Sequence, residues 1–170
     1  MRDAVGEAPG ALETCRFESP IGTLVLTADG DTLQGVALGG TAAIAGVGHF
    51  SSSAVLSATC AQLEEYFAGR RRHFRLPLAI GGTPFQQAVW RALADISYGT
   101  TITYGELARR VGRPAAVRAV GQANGANRLP IVLPCHRVVA AGGRIGGYSG
   151  GVAMKRALLA LEGVSALVGE

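Results

Sequence analysis

The sequence predicts an α/β protein in two parts, a small sheet-plus-helix domain followed by a helical domain. Three observations support this prediction. Polar and apolar residues alternate near the N-terminus, as in half-buried strands, and apolar residues further along recur at three- and four-residue steps, as in helices. Two short helical segments also flank a turn at residues 112–114, as in a helix-turn-helix. We expect a tail over residues 1–13, a first domain over 14–80 and a second over 81–170.

Composition indicates a folded protein that stays off membranes. Of the 170 residues, 48% are hydrophobic and 16% charged, which excludes a disordered chain. No apolar run approaches the roughly 20 residues of a membrane span, and residues 1–10 lack the apolar core of a signal peptide. Because the three cysteines Cys15, Cys60 and Cys135 cannot all pair within the chain, we expect a reducing compartment, the cytoplasm.

Positive charge is concentrated in the second half of the chain. Residues 1–80 hold six arginines against eight acidic residues, whereas residues 81–170 hold nine arginines and one lysine against four acidic residues. A basic half favours a phosphate-rich partner such as nucleic acid. A basic patch that serves only solubility fits this distribution equally well.

The first domain is predicted to begin with an antiparallel meander. Residues 14–27 alternate around a turn at 19–22, and a second turn at 29–31 precedes a third strand over 32–38.

After a loop over 39–53 rich in glycine, alanine and serine, residues 54–68 predict a helix that covers the meander and ends at Gly69. Residues 73–78 are predicted as a further strand.

Helices are predicted throughout the second domain. Thr83 and Pro84 are typical of a helix start, and the apolar positions that follow continue to Ile96. Further helices are predicted over 104–111, 114–126 and 152–162. The helices over 104–111 and 114–126 fit a helix-turn-helix, although an ordinary helical hairpin explains the pattern equally well.

The helix over 114–126 has two different faces. Val117, Val120, Gly121 and Asn124 form the predicted buried side. The opposite side carries small residues and one arginine, which suits close approach to a narrow minor groove better than reading bases in a wide major groove. These predicted DNA-binding residues are Ala115, Arg118, Ala119, Gln122 and Ala123.

The segment best suited to chemistry is Ile-Val-Leu-Pro-Cys-His-Arg-Val-Val at residues 131–139. Its first three residues predict a short buried strand that stops at Pro134, which has no N–H to donate. A bend there can bring the thiol of Cys135 close to the imidazole of His136, or to a water held by it, and so produce a thiolate nucleophile. A cysteine after an apolar run is otherwise an inert core residue.

We expect no cofactor and no metal. The glycine-rich residues 142–151 lack the Gly-Lys-Ser/Thr that a nucleotide-binding loop requires. Cys15, His49, Cys60 and His73 could be drawn together as zinc ligands, but no two of them have the close spacing of a zinc module.

Residues 134–138, Pro-Cys-His-Arg-Val, resemble the signature of the O6-alkylguanine-DNA alkyltransferases. The resemblance covers residues 83–163 and implies a ribonuclease-H-like N-terminal domain followed by a winged-helix-like, DNA-binding alkyltransferase domain. Other motifs that carry it are Phe-Gln-Gln-Ala-Val-Trp at 85–90, Tyr-Gly at 98–99 and 104–105, Arg-Ala-Val-Gly at 118–121, Asn127, Pro130, Tyr-Ser-Gly-Gly at 148–151 and Glu162.

The resemblance implies DNA repair by direct transfer of an alkyl group from O6-alkylguanine, and also from O4-alkylthymine, to an internal cysteine. One alkyl group would be accepted per molecule, without a cofactor. By the same resemblance Cys135 is the acceptor, His136 acts as its base through a bound water, and Glu162 orients the imidazole.

Two further catalytic roles follow from the resemblance. Asn127 would brace the turn before Cys135, and Tyr104 would donate a proton to the guanine ring as it leaves. From the residues alone, Asn127 could equally satisfy its own loop backbone and Tyr104 could be an ordinary half-buried tyrosine.

The resemblance also implies the substrate contacts. Pro130 would form a wall against the alkyl group, backbone groups at Cys135 and Val138 would hold the base, and Tyr148 and Ser149 would line the pocket.

Arg118 is the arginine finger of this resemblance, filling the duplex after the damaged nucleotide rotates out. Rotation is required because O6 is unreachable inside the base stack. The partner would be double-stranded DNA bound through its minor groove by a monomer, with cooperative binding left open.

Three other functions fit parts of the sequence. An alkyltransferase-like protein would flag the lesion without repairing it, but such proteins lack the acceptor cysteine. A helix-turn-helix regulator would need a sensor or dimerisation element. A cysteine hydrolase would need an oxyanion hole and turnover.

Overall fold

Three strands and one helix form the N-terminal half of the protein. The computed structural model describes residues 12–39, 53–165 and 167. The strands pair antiparallel in sequence order, and the helix lies against all three. The predicted meander and helix are therefore confirmed. Their bounds are β1 (Glu13–Ser19), β2 (Gly22–Asp29), β3 (Thr32–Leu38) and α1 (Ala54–Phe67).

Alternation places the core of this half between the sheet and α1. Leu24, Leu26 and Leu33 project from the sheet and are fully buried, and α1 contributes Leu56 and Leu63. The predicted loop over 39–53 lies mainly outside the described residues.

The prediction of a strand over residues 73–78 is wrong. This segment makes a single bridge to the sheet, between Leu78 and Leu33, through hydrogen bonds from Leu33 N to Pro77 O and from Ala79 N to Leu33 O. Pro77 has no N–H and interrupts the segment, so a longer ladder cannot form.

Four α-helices form most of the C-terminal half in the described residues, as the helical periodicity predicted, together with a two-stranded parallel sheet that was not predicted. Thr83 caps the first of them in a capping box with Gln86. Every helix in the part of the chain that the structure describes is too short or too polar to span a bilayer. The elements are α2 (Pro84–Ala94), β4 (Ile102–Thr103), α3 (Tyr104–Arg110), α4 (Val117–Gly125), β5 (Val138–Val139) and α5 (Val152–Leu161).

The helices α3 and α4 form the predicted helix-turn-helix, but α4 begins three residues later than expected. Pro114 and Ala115 belong to the turn. Val117, predicted to be buried, is 41% exposed, whereas Ala123, predicted to be on the free face, is 3% exposed. The cause is packing of α4 on α2, where the Trp90 indole donates to the carbonyl of Ala123 at 2.8 Å.

The prediction of a strand before the cysteine is also wrong. Residues 131–133 form a turn, in which Ile131 has a positive φ of 74° and Leu133 N donates to Leu129 O. Prolines on both sides of this three-residue run remove the N–H groups that a ladder would need. The strand follows the cysteine instead, as β5, which pairs parallel with β4.

Gly82 should tolerate no side chain, because its φ is +88° and an added Cβ would lie 2.9 Å from the buried Trp90 ring. We expect Gly82→Ala to lower the free energy of unfolding by about 2 kcal/mol, from backbone strain and overpacking together. Urea denaturation measures this. The neighbouring Gly81→Ala variant is the control, since open space surrounds that position. Equal stability of the two variants would contradict the prediction.

Candidate active site

Cys135 opens on a small cavity between the helix-turn-helix and the glycine-rich loop. The cavity measures about 220 Å³, below the roughly 300–1,000 Å³ of sites for drug-sized ligands, so its size suits a single base. The Cys135 residue is 2% exposed. The walls are formed by Tyr104, Gly121 and Asn124 on one side and by Gly147, Tyr148 and Ser149 on the other.

A turn held by two asparagines positions the cysteine. Asn127 donates to the carbonyl of Leu133 and accepts from the N–H of Leu129, both at 2.9 Å. Asn124 donates to the carbonyl of Cys135 at 3.4 Å. The chain after Pro134 then forms one 3-10 turn, Cys135–Arg137, rather than a strand.

His136 faces away from the cavity, toward Glu162 at the end of α5. Its Nε2 lies 2.7 Å from Glu162 Oε1, and both side chains are fully buried. Because Glu162 is ionised, Nε2 is the donor and the lone pair lies on Nδ1. Nδ1 is buried without a protein partner among the described residues, so it is the nitrogen free to accept a proton.

Glu162 accepts hydrogen bonds from four residues in three parts of the chain. Besides His136, its carboxylate accepts from Arg137 at 2.8 and 3.0 Å, from the Tyr66 hydroxyl at 2.7 Å and from the N–H of Gly99 at 3.3 Å. Burial by itself raises the pKa of Glu162, but the hydrogen bonds and charges of His136 and Arg137 outweigh it and bring the pKa to about 2.

Cysteine and histidine are both neutral at rest. Burial raises the pKa of Cys135, opposed by hydrogen bonding from Asn127 and by the charge of Lys155. Burial likewise lowers the pKa of His136, opposed by Glu162. The thiolate must therefore be formed by proton transfer to a base when the substrate is in place.

Two tyrosines face the cavity with their hydroxyl protons retained. Burial, followed by the proximity of Cys135, raises the pKa of both Tyr104 and Tyr148. The Tyr104 ring lies beside Gly121 and Gly146, where an added Cβ would be in van der Waals contact with it at 3.8 and 3.4 Å. These two glycines therefore form part of the surface against which the ring packs.

The structure brings most of the predicted site residues together. Tyr104, Cys135, Tyr148 and Ser149 line the cavity, with His136, Glu162 and Asn127 directly behind. Pro130 and Val138 are buried but are absent from the lining of this cavity. The carbonyl of Val138 accepts from Lys155 Nζ at 2.6 Å.

The predicted DNA-binding face is only partly as expected. Arg118, Ala119 and Gln122 are exposed on α4, and Ala115 is exposed in the turn before it. Ala123 is buried against α2, so its placement on this face is wrong.

Sequence reasoning missed four residues of the site. Asn124 was predicted only to pack on the buried side of its helix, and Arg137 was given no role although it belongs to the Pro-Cys-His-Arg-Val signature. Lys155 interrupts the apolar residues of its helix, and this pattern in the sequence could have indicated a buried charge. Tyr66 carried no such signal, because it lies 96 residues before Glu162.

The four residues considered as zinc ligands do not assemble among the described residues. The sulfurs of Cys15 and Cys60 lie 3.7 Å apart, His73 is exposed, and His49 lies outside the described residues. No group of three or more potential ligands occurs in residues 12–39 and 53–165.

A helix-turn-helix beside a buried cysteine and a base-sized cavity is typical of a DNA-binding protein whose chemistry uses a thiol. Residues 84–164 match the family description "6-O-methylguanine DNA methyltransferase, DNA binding domain", and residues 16–80 match its ribonuclease-like domain. The chain belongs to the 6-O-methylguanine DNA methyltransferase family, which confirms the resemblance and the fold class inferred from sequence.

Similar proteins carry the name methylated-DNA–protein-cysteine methyltransferase. One from Mycobacterium bovis is 44% identical over 147 residues, covering 86% of this chain and 89% of that protein. One from Methanosarcina acetivorans is 44% identical over 149 residues, covering 86% and 96%.

Two crystal structures show the same fold. The O6-methylguanine methyltransferase of Mycobacterium tuberculosis matches with a TM-score of 0.78 and 40% identity over 89% of this chain and 93% of that one. The structure of Mycobacterium tuberculosis OGT in complex with DNA matches with a TM-score of 0.78 and 43% identity over 89% and 91%.

Glu162 should make folding sensitive to acid. Its pKa of about 2 lies below the usual 4.5, so it stabilises the fold fully above pH 4.5 and loses this contribution as pH falls toward 2. We expect the wild-type protein to lose roughly 3 kcal/mol from this group over that window. Denaturant titrations at several pH values give the free energy of unfolding as a function of pH. This free energy should fall less steeply toward acid pH in Glu162→Gln than in the wild-type protein, and an equal dependence on pH would contradict the assignment.

Proposed function

We propose that this protein repairs DNA by moving the alkyl group of O6-alkylguanine onto Cys135. The observation that carries the proposal is the Cys135 thiol at the base-sized cavity beside the helix-turn-helix. Family membership and the DNA complex of a related protein support it.

The transfer requires a route for one proton and one electron pair. His136 Nδ1 accepts the thiol proton through a water, and Glu162 stabilises the resulting imidazolium. The thiolate attacks the alkyl carbon, a bond between sulfur and carbon forms, and the bond between carbon and O6 breaks. The electron pair moves into the guanine ring, whose nitrogen takes a proton from the Tyr104 hydroxyl, and the proton held by His136 returns through water to the Tyr104 oxygen, so that one proton is transferred in all. Lys155, whose pKa is lowered by burial to about 8, keeps positive charge near the sulfur at neutral pH.

The damaged base must leave the duplex to reach this cavity. Arg118, exposed on α4, fills the gap that remains, while the small side chains of Ala115 and Ala119 and the polar Gln122 approach the minor groove. The basic character of residues 81–170 holds the phosphate backbone without regard to sequence.

The remaining features of the proposal follow from the chemistry. A thioether is a poor leaving group, so each molecule acts once, and the same geometry serves O4-alkylthymine. Tyr148 and Ser149 hold the base in the cavity. The contacts assigned to Pro130 and Val138 and the monomeric, cytoplasmic state stay predictions.

Transfer to Cys135 has a direct test. Incubation with an oligonucleotide containing O6-methylguanine should add about 14 Da to the Cys135 peptide, one methyl group replacing one hydrogen, because the thiolate is the nucleophile. Cys135→Ala should gain nothing while binding the same DNA with unchanged affinity. Demethylation by this variant, or more than one product per molecule of wild-type protein, would refute the mechanism.

Arg118 should matter for duplex DNA and not for a free base. We expect Arg118→Ala to slow repair of duplex DNA by about tenfold or more, because extrusion of a base costs a few kcal/mol that the arginine offsets. Reaction with free O6-benzylguanine should be unchanged. Arg156→Ala, which removes an exposed arginine from α5, is the control. An equal decrease of the reaction rate on duplex DNA and on free O6-benzylguanine would show that Arg118 does not act in base extrusion.

A further inference from the structure

Tyr66 joins the N-terminal half of the protein to the candidate active site. It lies near the end of α1, is fully buried, and donates its hydroxyl to Glu162 Oε1 at 2.7 Å. The rings of Phe74 and Tyr98 pack against it at centroid distances of 5.5 and 6.2 Å. Packing on its ring therefore fixes the position of the hydroxyl.

The oxygen that Tyr66 contacts is the one that His136 uses. Glu162 Oε1 receives His136 Nε2, Arg137 Nη2 and the Tyr66 hydroxyl, whereas Oε2 receives Arg137 Nε and a backbone N–H. Lys155 of α5 adds a positive charge that acts on His136. Among the described residues, Tyr66 is the one group from the N-terminal half that is hydrogen-bonded to this carboxylate.

We propose that Tyr66 is a positioning residue for alkyl transfer. Its hydroxyl holds Glu162 Oε1 in line with the imidazole of His136 and withdraws part of the negative charge that this oxygen directs at the ring. The inference rests on the proposed function. It makes the N-terminal half a contributor to the chemistry rather than only a scaffold.

The charge effect has a defined sign. Without the hydroxyl, Glu162 Oε1 would present more negative charge to the imidazole, which favours the imidazolium and raises the pKa of His136. A base must be neutral to accept the thiol proton. The acid limb of the pH–rate profile should therefore move to higher pH when the hydroxyl is removed.

The test is Tyr66→Phe, which keeps the ring and deletes the hydroxyl. We expect single-turnover transfer to be about tenfold slower, the order expected for one lost hydrogen bond to a charged group, with the acid limb at higher pH and DNA affinity unchanged. The matched control is Tyr98→Phe. It deletes a nearby hydroxyl that donates to the carbonyl of Leu161, beside Glu162 but not to its carboxylate, and should leave the acid limb in place.

Three results would overturn the role of Tyr66: an unchanged rate and acid limb in Tyr66→Phe, an equal shift in Tyr98→Phe, or slower transfer explained wholly by weaker DNA binding. If Tyr66→Phe does not fold, the wild-type protein supplies the measurement. By NMR its Tyr66 hydroxyl proton should exchange slowly and shift as His136 titrates, and a proton indifferent to that titration would refute the coupling. Failure of the wild-type protein to transfer at all would instead refute the proposed function.

A second inference rests on a separate pair of residues. Cys15 on β1 and Cys60 on α1 are both half-buried, and their sulfurs lie 3.7 Å apart across the packing of helix on sheet. Cys135, by contrast, is almost fully buried and is distant in sequence from both of these cysteines. Either thiol can donate to the other, and a thiolate formed on Cys60 is stabilised by the Cys15 thiol, which lowers the pKa of Cys60 against the opposing effects of burial and Glu64.

We infer that Cys15 and Cys60 form a thiol–disulfide site that reacts with hydroperoxides. The Cys60 thiolate attacks the peroxide oxygen, giving a sulfenic acid and one molecule of water or alcohol. Cys15 then displaces hydroxide from that sulfur, and a second water is released as the bond between the two sulfurs forms. Two thiols are oxidised and one hydroperoxide is reduced. Formation of the bond requires the sulfurs to move from 3.7 Å to a bonding distance of about 2 Å.

The Cys135→Ala variant isolates this pair, because it leaves Cys15 and Cys60 as the only thiols of the chain. Treatment with hydrogen peroxide should remove about 2 Da, the two thiol hydrogens, and yield one peptide joined between Cys15 and Cys60 that dithiothreitol separates. Adding Cys15→Ser should replace the cross-link by oxygen on Cys60. Independent oxygenation of both cysteines, or cross-links only between molecules, would overturn the inference.

Discussion

A carboxylate buried away from water is costly unless charged and neutral donors surround it. Glu162 is such a group, and the donors that it requires come from α1, from the turn after α2, from the 3-10 turn of Cys135–Arg137 and therefore from most of the molecule. These segments can supply their donors together only in the native arrangement. The orientation of His136 is consequently set by the whole fold and not by its local sequence.

The 3-10 turn that contains Cys135 explains how this cysteine faces the cavity while its neighbour His136 faces Glu162. In a strand, Cys135 and His136 would point to opposite faces of a sheet, with no control over distance. The 3-10 turn instead directs the thiol into the cavity and the imidazole back toward Glu162. Ile131 at φ 74° is a conformation that β-branched residues rarely adopt. The hydrogen bonds of Asn127 hold the chain around it.

Local secondary structure and motifs could be predicted from the sequence, whereas contacts between residues far apart in the chain could not. Periodicity located the helices, the meander and the helix-turn-helix, and a five-residue signature pointed to Cys135, His136 and their family. Two predicted strands failed, at residues 73–78 and 131–133, because prolines remove ladder donors from runs whose composition otherwise suits strands. The burial of Ala123 depends on Trp90 from another helix. The contact of Tyr66 with Glu162 spans 96 residues, and no local pattern encodes it.

Under the proposed function, the burial of Cys135 determines how long the protein stays active before it meets damaged DNA. A reagent that can be spent once is useful only if it remains unspent, and cells contain many small electrophiles that consume exposed thiolates. With 2% of the residue exposed and its thiol kept protonated by burial, the sulfur stays inert toward such encounters. In the proposed mechanism only a flat base that enters the cavity reaches the thiol, so the burial that selects the substrate also sets the lifetime of the unreacted protein.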